Sequence, residues 1–236
     1  MLDAWPLEHV FPLIDILRIV VLNPDVTSYL CKYQNTSYLS NLQAQPNTNN
    51  YFKTIFNFVN QDYPVNTMLA LRVISNLFSS LSSPKENQKL TALMLNERLF
   101  LLGKLAGLFS TENKSVQIAL STVLLNYAVL VNKMANFSDK FSSGNLTELG
   151  KEFVEYLSSP ELCECITNWD NEAIFRVLVC VGTVLSDSNA NVDTGYLVSV
   201  VKSLGAVGKV CGDIGSKADK YLDKVRKCNG HLAKLV

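Results

Sequence analysis

Residues 62–80 read DYPVNTMLALRVISNLFSS, and this stretch decides the fold. Asp62 and Asn66 are candidate N-caps, Pro64 suits a first helical turn, and no further Pro or Gly interrupts the run, so a helix of about four turns is expected. Met68, Leu69, Leu71, Val73, Ile74, Leu77 and Phe78 occupy nearly the whole circumference. A helix that apolar must be buried on most sides. Arg72 and Asn76 break the pattern. Spaced i and i+4 they share one stripe, and because a guanidinium is almost never buried unpaired, that stripe is expected to face water or a ligand.

Two further stretches repeat the design: NKSVQIALSTVLLNYAVLV at 113–131 and DNEAIFRVLVCVGTVLSD at 170–187. Each opens on a capping Asn or Asp, runs apolar for three or more turns, and carries a small polar interruption near its end. Superposing these runs makes Asn76, Asn126 and Thr183 equivalent positions. A fourth copy lies at 14–22, where Leu17-Arg18-Ile19-Val20 echoes Leu71-Arg72-Val73-Ile74 and Leu22 falls at the Asn76 position. The spacings are 54, 50 and 57 residues. Armadillo and HEAT arrays have helical periods of about 40–47 residues, which longer loops stretch, so an all-α, armadillo-like helical-repeat superhelix is expected.

Composition agrees with a folded body. Of the 236 residues 48% are hydrophobic and 18% charged, far from the profile of a disordered chain. The formal net charge is zero, which argues against a general nucleic-acid binder. The last segment is locally basic, with Lys209, Lys217, Lys220, Lys224, Arg226, Lys227 and Lys234 against Asp213, Asp219 and Asp223, and reads as the solvated face of a terminal helix. The six cysteines, Cys31, Cys163, Cys165, Cys180, Cys211 and Cys228, form no Cys-x-x-Cys, and no zinc-ligand spacing is present. Cys180 sits in an apolar run and reads as a small core residue. Free thiols without a signal peptide favour the cytoplasm and nucleus, and the Asn-x-Ser/Thr sequons at Asn35, Asn113, Asn136 and Asn145 then read as chance matches. No uninterrupted apolar run approaches the ~18–20 residues that span a bilayer, which on this signal excludes an integral membrane protein.

Taken in order, the chain opens with a turn at Trp5 and Pro6 and a helix stopped by Asn23 and Pro24, followed by a short helix at 27–33. Residues 34–50 are polar and read as a loop, and 51–60 form a helix leading into the central element. A long helix is expected at 90–108, where Gly103 and Gly107 allow close helix contact. Phe137 and Phe141 anchor a Ser- and Gly-rich loop before a helix at 149–157. Residues 158–167 read as a short Pro-containing connection with its own turn, 195–204 as a further helix and 216–235 as a polar terminal cap. Tyr127 and Tyr196 read as core or groove-wall residues. No alternating stretch is long enough to demand a strand.

The repeats also carry a resemblance. FPLIDILR at 11–18, NTMLALR at 66–72 with Asn76, IALSTVLLNY at 118–127, EAIFRVLV at 172–179 followed by Gly182-Thr183, and KSLG at 202–205 together resemble the PUL domain family. They span almost the whole chain in the right order, and five spaced matches are far more specific than one. PUL domains stand at the C-terminus of proteins that also carry a WD-repeat propeller and a ubiquitin-binding PFU domain. The resemblance thus implies that residues 1–236 are one such C-terminal module of a longer protein. Propeller and PFU domain are absent here, so ubiquitin binding that belongs to them does not transfer.

What the resemblance implies is an armadillo-like superhelix that docks the acidic C-terminal tail of the valosin-containing AAA ATPase in a basic concave groove. The family's groove arginines match Arg72 and Arg176, whose forks can hold a carboxylate bidentately. Asn76 and Asn126 would bond the peptide backbone by analogy with the asparagine ladder of other armadillo proteins, and Arg18 and Lys202 would extend the positive surface. The implied module is a monomeric, non-catalytic adaptor in ubiquitin-dependent turnover, with no cofactor, metal or nucleic acid. Two alternatives stay open. The chain could be a general helical scaffold with another peptide partner, and each arginine could simply pair with a carboxylate of a neighbouring repeat. It could also be a thiol hydrolase, but only His9 and His231 are available as bases, near opposite ends of the chain, and no nucleophile motif accompanies either.

Overall fold

A computed structural model of the chain describes residues 5–32, 51–79, 94, 97–135, 152–153, 155–157 and 159–185. They are helical, with no strand among them. The chain is all-α. In order come a 3-10 turn at Leu7–His9, α1 (Phe11–Val20), α2 (Pro24–Lys32), α3 (Tyr51–Asn57), α4 (Pro64–Ser79), α5 (Arg98–Ala106), α6 (Lys114–Ala135), α7 (Pro160–Cys165), a 3-10 turn at Ile166–Asn168, and α8 (Asn171–Leu185). Two compact units divide at the middle of α6, one of Met1–Val123 and one of Leu124–Val236.

The helix ends follow local chemistry. Asn113 Oδ1 accepts from Val116 N–H at 3.2 Å to start α6, and Asp170 Oδ1 accepts from Glu172 N–H at 2.9 Å to start α8, as the capping pattern implied. Asn23 accepts from Asp25 N–H at 2.9 Å. Asn23 and Pro24 therefore begin α2 rather than merely ending α1, because Pro fits a first helical position behind an Asn cap. The turn expected within residues 158–167 is a short helix. Ser159 caps α7 through Leu162 N–H at 3.4 Å, and Pro160 opens that helix.

In the first unit α4 is the core element and packs against α1 and α3. Leu69, Leu71, Val73, Ile74, Leu77 and Phe78 are buried, as the all-round apolar pattern requires. Pro64 is the first helical residue, as expected, but this puts Tyr63, not Asp62 or Asn66, at the cap position. Asn66 lies buried in the third position instead, where Nδ2 donates to the Leu7 carbonyl at 2.6 Å. One end further on, Asn76 Nδ2 donates to the Arg18 carbonyl, also at 2.6 Å. The two bonds advance together along both chain segments, so α1 and α4 run in the same sense and are clamped at both ends by asparagine amides.

The second unit repeats that logic. Cys180 Sγ of α8 approaches the Leu124 carbonyl of α6 at 3.5 Å, and Asn132 Nδ2 of α6 donates to the Thr183 carbonyl at 3.1 Å. Again the contacts ascend together, and the helices run in the same sense. Tyr127 of α6 and Phe153 are fully buried, with ring centroids 4.8 Å apart.

Two expectations are corrected here. Helix α6 holds a 20-residue stretch, Lys114–Lys133, that is long and apolar enough to cross a membrane by length and composition. It is mostly buried within the folded chain and carries Gln117, Ser121, Asn126 and Asn132, which makes it a core helix. Gly103 and Gly107 make no close helix contact. Both are exposed, a Cβ on Gly103 would meet nothing within 4 Å, and one on Gly107 only the Lys104 carbonyl at 3.5 Å. Gly103→Ala is therefore expected to stabilise the protein by about 0.5–1 kcal/mol, through helix propensity alone, read as a higher urea midpoint in circular dichroism. The loops and helices expected at 34–50, 136–150 and beyond 185, with Phe137, Phe141, Tyr196 and His231, lie outside the described residues.

Candidate functional site

Helix α4 presents one charged side chain on an otherwise buried run. Arg72 is exposed, and among the described residues it has no ion pair or side-chain hydrogen bond. Its i+4 neighbour Asn76 is half-buried, with its amide engaged on Arg18. The shared stripe thus splits: Arg72 faces water, while Asn76 ties α4 to α1. Four residues turn a helix by about 400°, so the two side chains differ by about 40° in direction, which is enough when a neighbouring helix borders the stripe.

Arg18 and Arg176 already hold a carboxylate from their own helix. Arg18 Nε donates to Asp15 Oδ1 at 2.7 Å on α1. On α8, Arg176 donates through Nε and Nη2 to Glu172 Oε1, each at 3.0 Å. Both pairs are local, at i,i+3 and i,i+4, and both are partly exposed. Neither comes from a neighbouring repeat. Asn126 is half-buried on α6, and Lys202 lies outside the described residues. Arg18, Arg72 and Asn76 belong to the first unit, and Asn126 and Arg176 to the second.

Asp15 and Glu172 were missed as members of the site, although their spacing to an arginine is legible in the sequence. Also missed was the outward face of α1, where Ile16 and Ile19 are 57% and 56% exposed and Phe11 and Leu22 are exposed beside them.

The Cys180 thiol is not poised as a nucleophile. Cys180 is fully buried in the core, and that burial pushes its thiol well above the usual value, the reverse of an activated thiolate. Burial, and then the neighbouring Cys180, likewise hold the Tyr156 hydroxyl neutral. Cys163 and Cys165 are half-buried on α7.

The helical body ties its parallel helices through asparagine amides and turns Arg72 outward from a core helix, which suits a protein-interaction module. The family model of the PUL domain matches residues 1–227, and the chain belongs to that family. It is similar to the phospholipase A-2-activating protein of Xenopus laevis, with 30% identity over 234 residues. That match covers 95% of this chain and 23% of the relative, so the chain spans less than a quarter of that protein's length.

Proposed function

We propose that this PUL domain is a non-catalytic adaptor that docks the acidic C-terminal tail of the valosin-containing AAA ATPase in a basic concave groove, serving ubiquitin-dependent protein turnover in the cytoplasm and nucleus. The observation that carries the reading is Arg72, held outward by a mostly buried helix and without an ion pair among the described residues. Arg176 is the matching fork of the second unit, Arg18 and Lys202 add positive charge, and Asn76 and Asn126 are the candidates for bonds to the peptide backbone. An armadillo-like stack underlies the groove. The same-sense pairing of α1 with α4 and of α6 with α8, at the repeat spacing found in the sequence, supports it.

Calorimetric titration with the last ten or so residues of the ATPase tests the reading. Binding is expected, weakening as salt rises, because exposed charges are screened beyond a Debye length of about 8–10 Å. A chain that binds no tail peptide at low salt is no such adaptor. The outward apolar face of α1 favours one other reading, a helical scaffold for a different partner, in which binding would be indifferent to salt and to Arg72 and Arg176.

A further inference from the structure

Resting on the docking reading, we propose that Glu172 is a built-in competitor for the ligand carboxylate at Arg176 and so sets how tightly the acidic tail is held. Glu172 Oε1 receives both Nε and Nη2 of Arg176, which is one of the guanidinium edges that present parallel N–H groups to a carboxylate. A tail carboxylate that takes this edge must displace Glu172. One that meets another part of the guanidinium still faces a negative charge one helical turn away.

The geometry makes Glu172 a displaceable rival rather than a fixed buttress. Its side chain is 53% exposed, so turning into water exchanges one hydrated partner for another. It is the second residue of α8, where the positive end of the helix dipole favours a carboxylate in either orientation. Asp15 holds Arg18 in the same way, one turn upstream on α1. Arg72 has no such rival among the described residues, so among them an incoming acid meets no competing carboxylate at that arginine.

The test uses the 236-residue chain and the synthetic tail peptide. Glu172→Gln keeps the side chain's shape and removes its charge, and is expected to tighten binding about two- to fivefold at low salt and less at high salt, the scale of an exposed helical ion pair plus one nearby charge. Glu161→Gln is the matched control. Glu161 is also the second residue of its helix, α7, and it holds no arginine among the described residues. It should leave affinity unchanged. In an Arg176→Gln background, Glu172→Gln should have no effect. The proposal is overturned if the wild type binds and Glu172→Gln binds equally or more weakly, or if Glu161→Gln gains as much, which would mark a bulk charge effect. Wild-type protein that does not bind at all overturns the docking reading and this one together.

Discussion

Replacing Arg72 and Arg176 together by alanine is expected to remove most of the affinity for the acidic tail while leaving the fold intact. A hydrogen bond to a charged partner is worth about 1.5–3 kcal/mol, so each arginine should account for about ten- to hundredfold in Kd. The two are not equal. Arg72 gives up no ion pair among the described residues on binding, and its loss should lie near the upper end. Arg176 must first part from Glu172, so Arg176→Ala should lie near the lower end. Because the side chains belong to separate units and, on the docking reading, would meet separate ligand groups, the two effects should add, and the double variant tests this directly. The Arg72 side chain is exposed, so its truncation leaves no core cavity, and unchanged helical circular dichroism would exclude unfolding as the cause. A double variant that binds the tail as the wild type does would move the site off these arginines and favour the apolar face of α1.

The parts of this fold that were legible in the sequence are those that local chemistry decides. Asn113 and Asp170 precede apolar runs and accept from N–H groups two or three residues on, so their capping role needs no tertiary information. The burial of α4 follows from its composition alone. Asn66 looks equally suitable as a cap, yet its amide bonds the Leu7 carbonyl 59 residues away. No short-range rule contains that partner. Gly103 misleads for the opposite reason: glycine in a helix often marks a close approach, and here the space beside it is open.

The candidate site divides along the same line. Arg72 could be read as outward-facing because burial of an unpaired guanidinium is too unfavourable. For Asn76 that argument has no force, since an amide can be satisfied by any carbonyl a neighbouring helix supplies, and α1 supplies one. The pairs Asp15–Arg18 and Glu172–Arg176 needed only the rule for helical neighbours. On the docking reading they change what the arginines would offer a ligand, from open forks to forks that must be vacated.

Leu71→Ala should be among the most damaging single changes to the first unit. Leu71 is fully buried at the middle of α4, the helix against which both α1 and α3 pack. Removing three carbons from such a site forfeits the transfer free energy of the lost groups and adds a cavity term, about 2–5 kcal/mol in all. Much of a typical domain stability of about 5–15 kcal/mol would go with it. The change lies one residue from Arg72, so loss of tail binding in this variant would report the loss of α4 rather than a contact. Urea denaturation followed by helical circular dichroism is the measurement, with Leu99→Ala as comparator. Leu99 is 65% exposed on α5, and its truncation should stay within about 0.5 kcal/mol. Were the two variants equally stable, α4 would not be the element that holds the first unit together, and the outward orientation of Arg72 would lose the rigid support on which the docking reading depends.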